Sequence, residues 1–474
     1  MSQNEIILRN PKQGALVKAT QQSQTFLTLL QQSDERRLVE ILKSIDFKEA
    51  TTLISSLEHI EWTAQFIEKY AEYWNWGQLS GNKALPWSME LIEGFEDSWS
   101  WGYCGLSDNE ALPWSIALIE RFENRWEWGV LEISDWGLSN NKDLPWSIAL
   151  IERFETRWNW RELSGNQALP WSIALIERFK EHWDWRELSG NQALPWSIAL
   201  IERFKTRWDF KRFSWNQALP WSITLIERFK EHWDWRELSG NQALPWSMEF
   251  FEHFETRWNF EGLSWNQALP WSMEFFERFE DFWDFEQLSR NQALPWSIAL
   301  IERFEDRWKW WRLSQNEALP WSMEFFERFE DSWDFERLSH NQALPWSIAL
   351  IERFETRWNW EVLGLPLNQA LPWSIALIER FENRWEWGML GLSGNEALPW
   401  SIALIERFED SWDWGYSGLP DNEALPWSID LLEKFKYKWS WSGLAFNEKV
   451  QQIFTALSVQ GIEEVMDYHI EKLS

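Results

Sequence analysis

The 25 residues from Trp171 to Pro195 read WSIALIERFKEHWDWRELSGNQALP, and the next 25, Trp196 to Pro220, read WSIALIERFKTRWDFKRFSWNQALP. The unit recurs from about Trp62 to Trp441. Its Leu-Pro-Trp-Ser signature occurs fourteen times, with the proline at Pro86, Pro113 and Pro145, then every 25 residues to Pro345, then at Pro372, Pro399 and Pro426. Trp62 opens a degenerate first copy in which Glu61 replaces the proline, making fifteen. A fixed period of this size marks an array whose units bury their apolar faces only by stacking on one another. Where the period stretches, in the flanking copies, Gly-rich inserts such as those at Gly102 and Gly415 follow the W-x-W pair and are expected to lengthen one loop.

Within one unit Ser172 is a good N-cap and Pro170 suits a helix entry but not an interior. At about 100° per residue, Ile173, Leu175, Ile176, Phe179 and Trp183 share one arc, and Ala174, Glu177, Arg178 and Glu181 the other. This predicts an amphipathic helix of about eleven residues, with Trp171, Ile176, Phe179 and Trp183 as core. Asp184 with Glu187 three residues on forms a capping-box pattern for a second, very short helix ended by Gly190-Asn191. The fold class is therefore all-α, an α-solenoid of about fifteen helix-turn-short-helix repeats of 25–27 residues. The organisation reads as a polar, flexible N-terminus over 1–22, an N-terminal helical cap over 23–61, the repeats over 62–447, and a C-terminal helical cap over 448–474.

Composition narrows the function. The chain of 474 residues holds 45 Trp and a formal net charge of −30, with a mean hydropathy of −0.48. Forty of the Trp fall at three fixed repeat positions; Trp62, Trp136, Trp215, Trp265 and Trp311 lie outside them. The acidic surplus is spread along the repeats. It opposes direct nucleic-acid binding and anionic membrane surfaces, and it favours a protein or peptide partner, possibly a basic one. A lone cysteine, Cys104, suits a reducing compartment, and the N-terminus carries no long apolar stretch, so a cytoplasmic location is expected.

No catalytic or metal site is expected, and no cofactor. None of the six His has metal-ligand spacing with another ligand type. The Glu at the Glu177 position occurs in every unit and is followed by Arg or Lys in thirteen. Neighbours in a helix do not face each other, so Glu152, Glu177 and Glu202 of one unit are expected to meet Arg178, Arg203 and their equivalents of the next, as an exposed ion-pair ladder. The W-x-W pairs read as core filler, since the second Trp is replaced by Phe at Phe210, Phe260, Phe285 and Phe335. The repeated Asn at the Asn191 position reads as a turn or ladder residue.

One position behaves otherwise. The residue between Ser and Asn in L-S-x-N is Gly165, Gly190, Trp215, Gly240, Trp265, Arg290, Gln315 and His340 in successive units. A loop residue that varies on a fixed scaffold is how repeat proteins present a binding surface, with neutral variation at a tolerant turn as the competing reading. Trp215, Trp265, Arg290, Gln315 and His340 are thus the candidate partner-binding stripe.

The W-x-W-x-x-L-S-x-N turn followed by L-P-W-S and L-I-E-x-F resembles the tryptophan-rich short tandem repeats of large bacterial and giant-virus proteins. In architecture the chain is similar to helical-repeat adaptors such as the tetratricopeptide class, with a shorter unit. The resemblance carries over no catalytic residue. The expected function is a non-enzymatic scaffold for a protein or peptide. Alternatives are an acidic rod that mimics nucleic-acid charge on basic protein surfaces, and glycan binding through Trp215 and Trp265.

Overall fold

A computed structural model describes residues 32–102, 104–129 and 137–474. The 1–22 segment, Trp136 and the start of the N-terminal cap lie outside them. The described residues are all-helical, without strands, and consist of regularly spaced repeats. By contacts the chain divides into two units, one built from Trp87–Pro399 and one from Met1–Pro86 with Trp400–Ser474.

In Trp87–Pro399 each regular repeat is a six-residue helix, a turn and a second short helix, as in Ile173–Arg178 and Trp185–Gly190. The first helix is shorter than its periodicity suggests. Phe179 leaves the helical region at φ −115°, and the amides of His182 and Trp183 turn back to its carbonyl. The cause is the indole of Trp183. It is buried, its N–H needs an acceptor, and it donates to the Ile176 carbonyl at 3.1 Å, which a longer helix would give to the amide four residues on. Trp171 and Trp185 likewise donate to the carbonyls of Asn166 and Lys180. Leu175, Ile176, Phe179, Trp183, Leu188 and Leu194 form the core of the repeat. Full burial of a side chain of this size contributes about 1.5–3 kcal/mol. Two expected core residues sit further out: Trp171 is half-buried and Ile173 is 39% exposed, because truncation of the helix turns the first residue after the Ser172 cap outward.

Neighbouring repeats are joined by polar side chains as well as by apolar contact. Asn191 is 3% exposed and donates to the carbonyls of Ser164 and Asn166 in the preceding repeat, at 2.9 and 3.3 Å, while its own oxygen accepts from Ala193 N–H. The buried Ser164 hydroxyl donates to Trp160 O and accepts the amide of Asp184 in the next repeat. The Gly-rich inserts do more than lengthen a loop. In that place the short α-helix becomes a 3₁₀ turn, as at Leu365–Leu367, yet Asn368 still reaches the carbonyls of Ser339 and Asn341. Gly364 permits the tighter path, since a Cβ there would lie 2.2 Å from Asn359 O.

In the other unit the terminal segments, expected to cap separate ends of the array, interleave. The helix Phe47–Ser56 takes the place of a short helix in front of the first repeat: Asn82 donates to the carbonyls of Ser55 and Leu57, as Asn191 does to its predecessor. Its other flank packs against Trp441–Leu444 of the last repeat, where the Glu49 carboxylate accepts the Ser442 amide and Gln451 donates to Ser56 Oγ. The helix over 32–44 lays Arg37 on Asp430 and Glu433, at 2.5 and 2.6 Å. The C-terminal helix Val459–Leu473 crosses the other way: Glu463 meets Lys69 at 2.9 Å and Asp467 accepts from the Tyr70 hydroxyl, both in the first repeat. His469 stacks on Phe47 at 4.9 Å and contacts Leu42 O. Each terminus thus completes the repeat at the opposite end of the sequence.

Two outcomes follow from this packing. Asn191→Ala removes two donors and leaves buried carbonyls of the preceding repeat unpaired, so urea denaturation should show a loss of about 2–4 kcal/mol. Deleting Val459–Leu473 should raise amide exchange in Ala64–Lys69, measured by mass spectrometry, while Ile198–Arg203 stays protected. An unchanged first repeat would refute the interleaved arrangement.

Candidate interaction surface

Two faces of the repeat carry polar groups at every step, and they differ in kind. On the six-residue helices the carboxylates of Glu152 and Glu177 meet the guanidinium groups of Arg178 and Arg203 at 2.7 and 2.8 Å. Glu202 pairs with Arg228 in the same way, and His253 takes the Arg place opposite Glu227. Arg203, followed by Lys180, holds the Glu177 carboxyl below the usual carboxylate range. The ladder leaves these charges engaged with one another on a solvated face. His182 also has a structural place, stacked on Trp160 at 4.7 Å and 2.8 Å from Glu155.

The second face is the row formed by the short helices and the turns after them. Trp215, Arg290, Gln315 and His340 are exposed here, and Trp265 is half-buried. The two Trp are not independent anchors. Their rings stack at a centroid distance of 5.1 Å and an interplanar angle of 21°, although the repeat of Gly240 lies between them in sequence. Gly240 makes this possible, because a Cβ there would stand 2.1 Å from the Trp265 ring. The Trp215 indole also donates to the Glu237 carboxylate. Trp215 remains 41% exposed at the open side of the stack.

Arg290, Gln315 and His340 follow at equivalent turns. Partial desolvation of its ring and the nearby Arg337 charge push the His340 imidazole down, toward the neutral form. Sequence reasoning confined to the L-S-x-N position missed Trp311 and Arg312 one turn earlier. Trp311 is 37% exposed, and the Arg312 guanidinium lies 3.7 Å from its ring centroid. The available signal was that Trp311 stands outside the three repeated Trp positions.

Among the described residues no group of three or more His, Cys, Asp or Glu is arranged to hold a metal ion, and no helix is long and apolar enough to cross a membrane. Known protein families, curated proteins and solved structures offer no match to this chain. What stands is a tryptophan-rich, repeating helical protein with one ordered ion-pair face and one variable row.

The division of Trp between core and row can be measured. Trp183→Ala should cost about 3–5 kcal/mol through a cavity and an unpaired Ile176 carbonyl. Trp215→Gly, which loses one exposed stacking contact, should cost about 1 kcal/mol. Equal losses in chemical denaturation would contradict this assignment.

Proposed function

We propose that the protein is a non-enzymatic repeat scaffold whose short-helix row binds a protein or peptide partner. One observation carries the reading. The Asn that joins repeats, at the Asn191 position, is the same in every copy, while the neighbouring turn position carries Trp215, Trp265, Arg290, Gln315 or His340. Aromatic and Arg side chains of this kind dominate interface energetics. The functional use of helical-repeat adaptors, to which the architecture is similar, supports the same reading. A cytoplasmic setting fits the single Cys104.

The other readings have less behind them. Glycan stacking needs free indole faces, and Trp215 and Trp265 spend one face each on the other. Charge mimicry needs free carboxylates, and the ladder pairs many of them with Arg; even the outward Asp97 and Asp410 meet Arg125 and Lys438.

The test compares wild type with the Trp265→Gly/Arg290→Gly double variant, in which both positions take the residue that other copies carry. Both proteins are immobilised and exposed to one cell extract, and retained proteins are quantified by mass spectrometry. A specific partner should be retained at least about tenfold less by the variant. Equal retention by two equally folded proteins would remove the row as the contact surface.

A further inference from the structure

One repeat departs from the others at two positions, Lys309 and Trp311. Where the short α-helices elsewhere begin on Asp, Asn or Ser whose side chain caps the helix, as Asp284 and Asp334 do on either side, this repeat has Lys309, which makes no cap bond. A favourable N-cap has been given up there for an exposed cation. Trp310 keeps its repeat position, but Trp311 replaces the Glu286 and Glu336 of the adjacent repeats and is exposed. Arg312 then spans Trp311 and has a buried Nε with no hydrogen-bond partner. A local rule broken without structural gain is the pattern expected of a functional position.

The neighbours add to this group. Arg290 on the preceding repeat and Arg337 on the following one both act on Arg312, and together with burial they push its guanidinium down, against the single carboxylate of Glu286 at 3.6 Å. Among the described residues Arg290, Lys309 and Arg337 have no ion pair, whereas cations of the six-residue helices such as Arg178, Arg203 and Arg278 meet a Glu of the preceding repeat. Of the carboxylates nearby, Asp284 and Asp334 cap their own helices, and Glu317 accepts the Gln342 amide. Glu336 is left as the unpaired acid on this stretch. Three cations without an ion-pair partner, Arg290, Lys309 and Arg337, therefore share this stretch of the row with Arg312 and an exposed indole, in a chain whose net charge is −30.

We propose that Arg290, Lys309, Arg312 and Arg337, with Trp311, form a docking site for an acidic peptide segment that presents carboxylates beside an aromatic or aliphatic residue. The inference rests on the row being the partner surface and names the chemistry of the partner. Charges further along the chain do not oppose it, since at physiological salt they are screened beyond about 8 Å. They do disfavour a long polyanion, whose charge would run past the cationic stretch onto the acidic repeats. Arg offers planar paired donors to each carboxylate, and Trp311 offers a face for the apolar neighbour.

The probe is a fluorescent peptide of alternating Glu and Phe, with a Lys-for-Glu counterpart and a single-stranded RNA oligonucleotide as comparisons, read by anisotropy on the full chain. The decisive variant is Lys309→Asp/Trp311→Glu, which restores the residues of the repeat at Asp334 and should melt no lower than wild type because the helix cap returns. The Glu peptide should bind wild type, bind this variant at least about tenfold more weakly, and weaken with added salt. Four results would overturn the proposal: no binding of the Glu peptide to wild type, equal binding to the variant, tighter binding of the Lys peptide, or preference for RNA. If a cellular partner is lost on Trp265→Gly/Arg290→Gly while the Glu peptide fails to bind, the row stands and only its acidic specificity falls. If neither responds, both readings fall.

Discussion

The buried amide of the repeated Asn is the interaction on which the array depends. Each copy inserts one side chain between two backbone turns, donating to two carbonyls of the preceding repeat and accepting an amide of its own, as Asn191 does with Ser164, Asn166 and Ala193. Such a group is costly when unpaired and directional when paired, so it fixes the step between repeats where apolar contact alone would allow sliding. The same constraint explains the tryptophans. The indole at the Trp183 position fills core volume as Phe would, but its N–H also ends the first helix by taking the Ile176 carbonyl. At the Trp185 position the accepted carbonyl lies nearer solvent, where water can replace the donor, and there Phe is tolerated at Phe210 and Phe285.

The terminal segments extend this logic to sequences that lack the motif. Phe47–Ser56 offers Asn82 the carbonyls of Ser55 and Leu57, so the first repeat meets the same acceptor geometry as any other. Arg37 reaches Glu433 as Arg203 reaches Glu177. A stacked repeat without a neighbour would expose one apolar face; here the first repeat meets Phe47–Ser56 and, through Tyr70 on Asp467, the C-terminal helix, while the last repeat meets the helix over 32–44 through Arg37 on Glu433.

The two faces of the repeat differ in how far their residues are fixed. The helix face carries charges in fixed pairs, and exposed pairs of this type add little to stability while keeping the surface solvated. The short-helix row is different because its backbone is already held from beneath by Asn and Ser, so its outward residues are free to change. The changes are concentrated: an indole pair around Gly240, then cations around Trp311.

The sequence by itself determined the all-α class, the stacked repeats, the Ser and Asp caps, and which face carries Glu beside Arg. These follow from periodicity and local propensity, which act within a few residues. It also marked the variable L-S-x-N position, since variation at a fixed register is visible without coordinates. Tertiary structure decided the rest. That Ile173 faces outward, that the first helix stops at Arg178, and that Trp215 and Trp265 share one stack depend on where an indole N–H finds its acceptor and where a missing Cβ leaves room. The pairing of the N-terminal segment with the last repeat, and of the C-terminal helix with the first, joins residues nearly four hundred positions apart. No local pattern records that contact, because it is made by ordinary amphipathic helices whose partners are fixed only when the two ends meet.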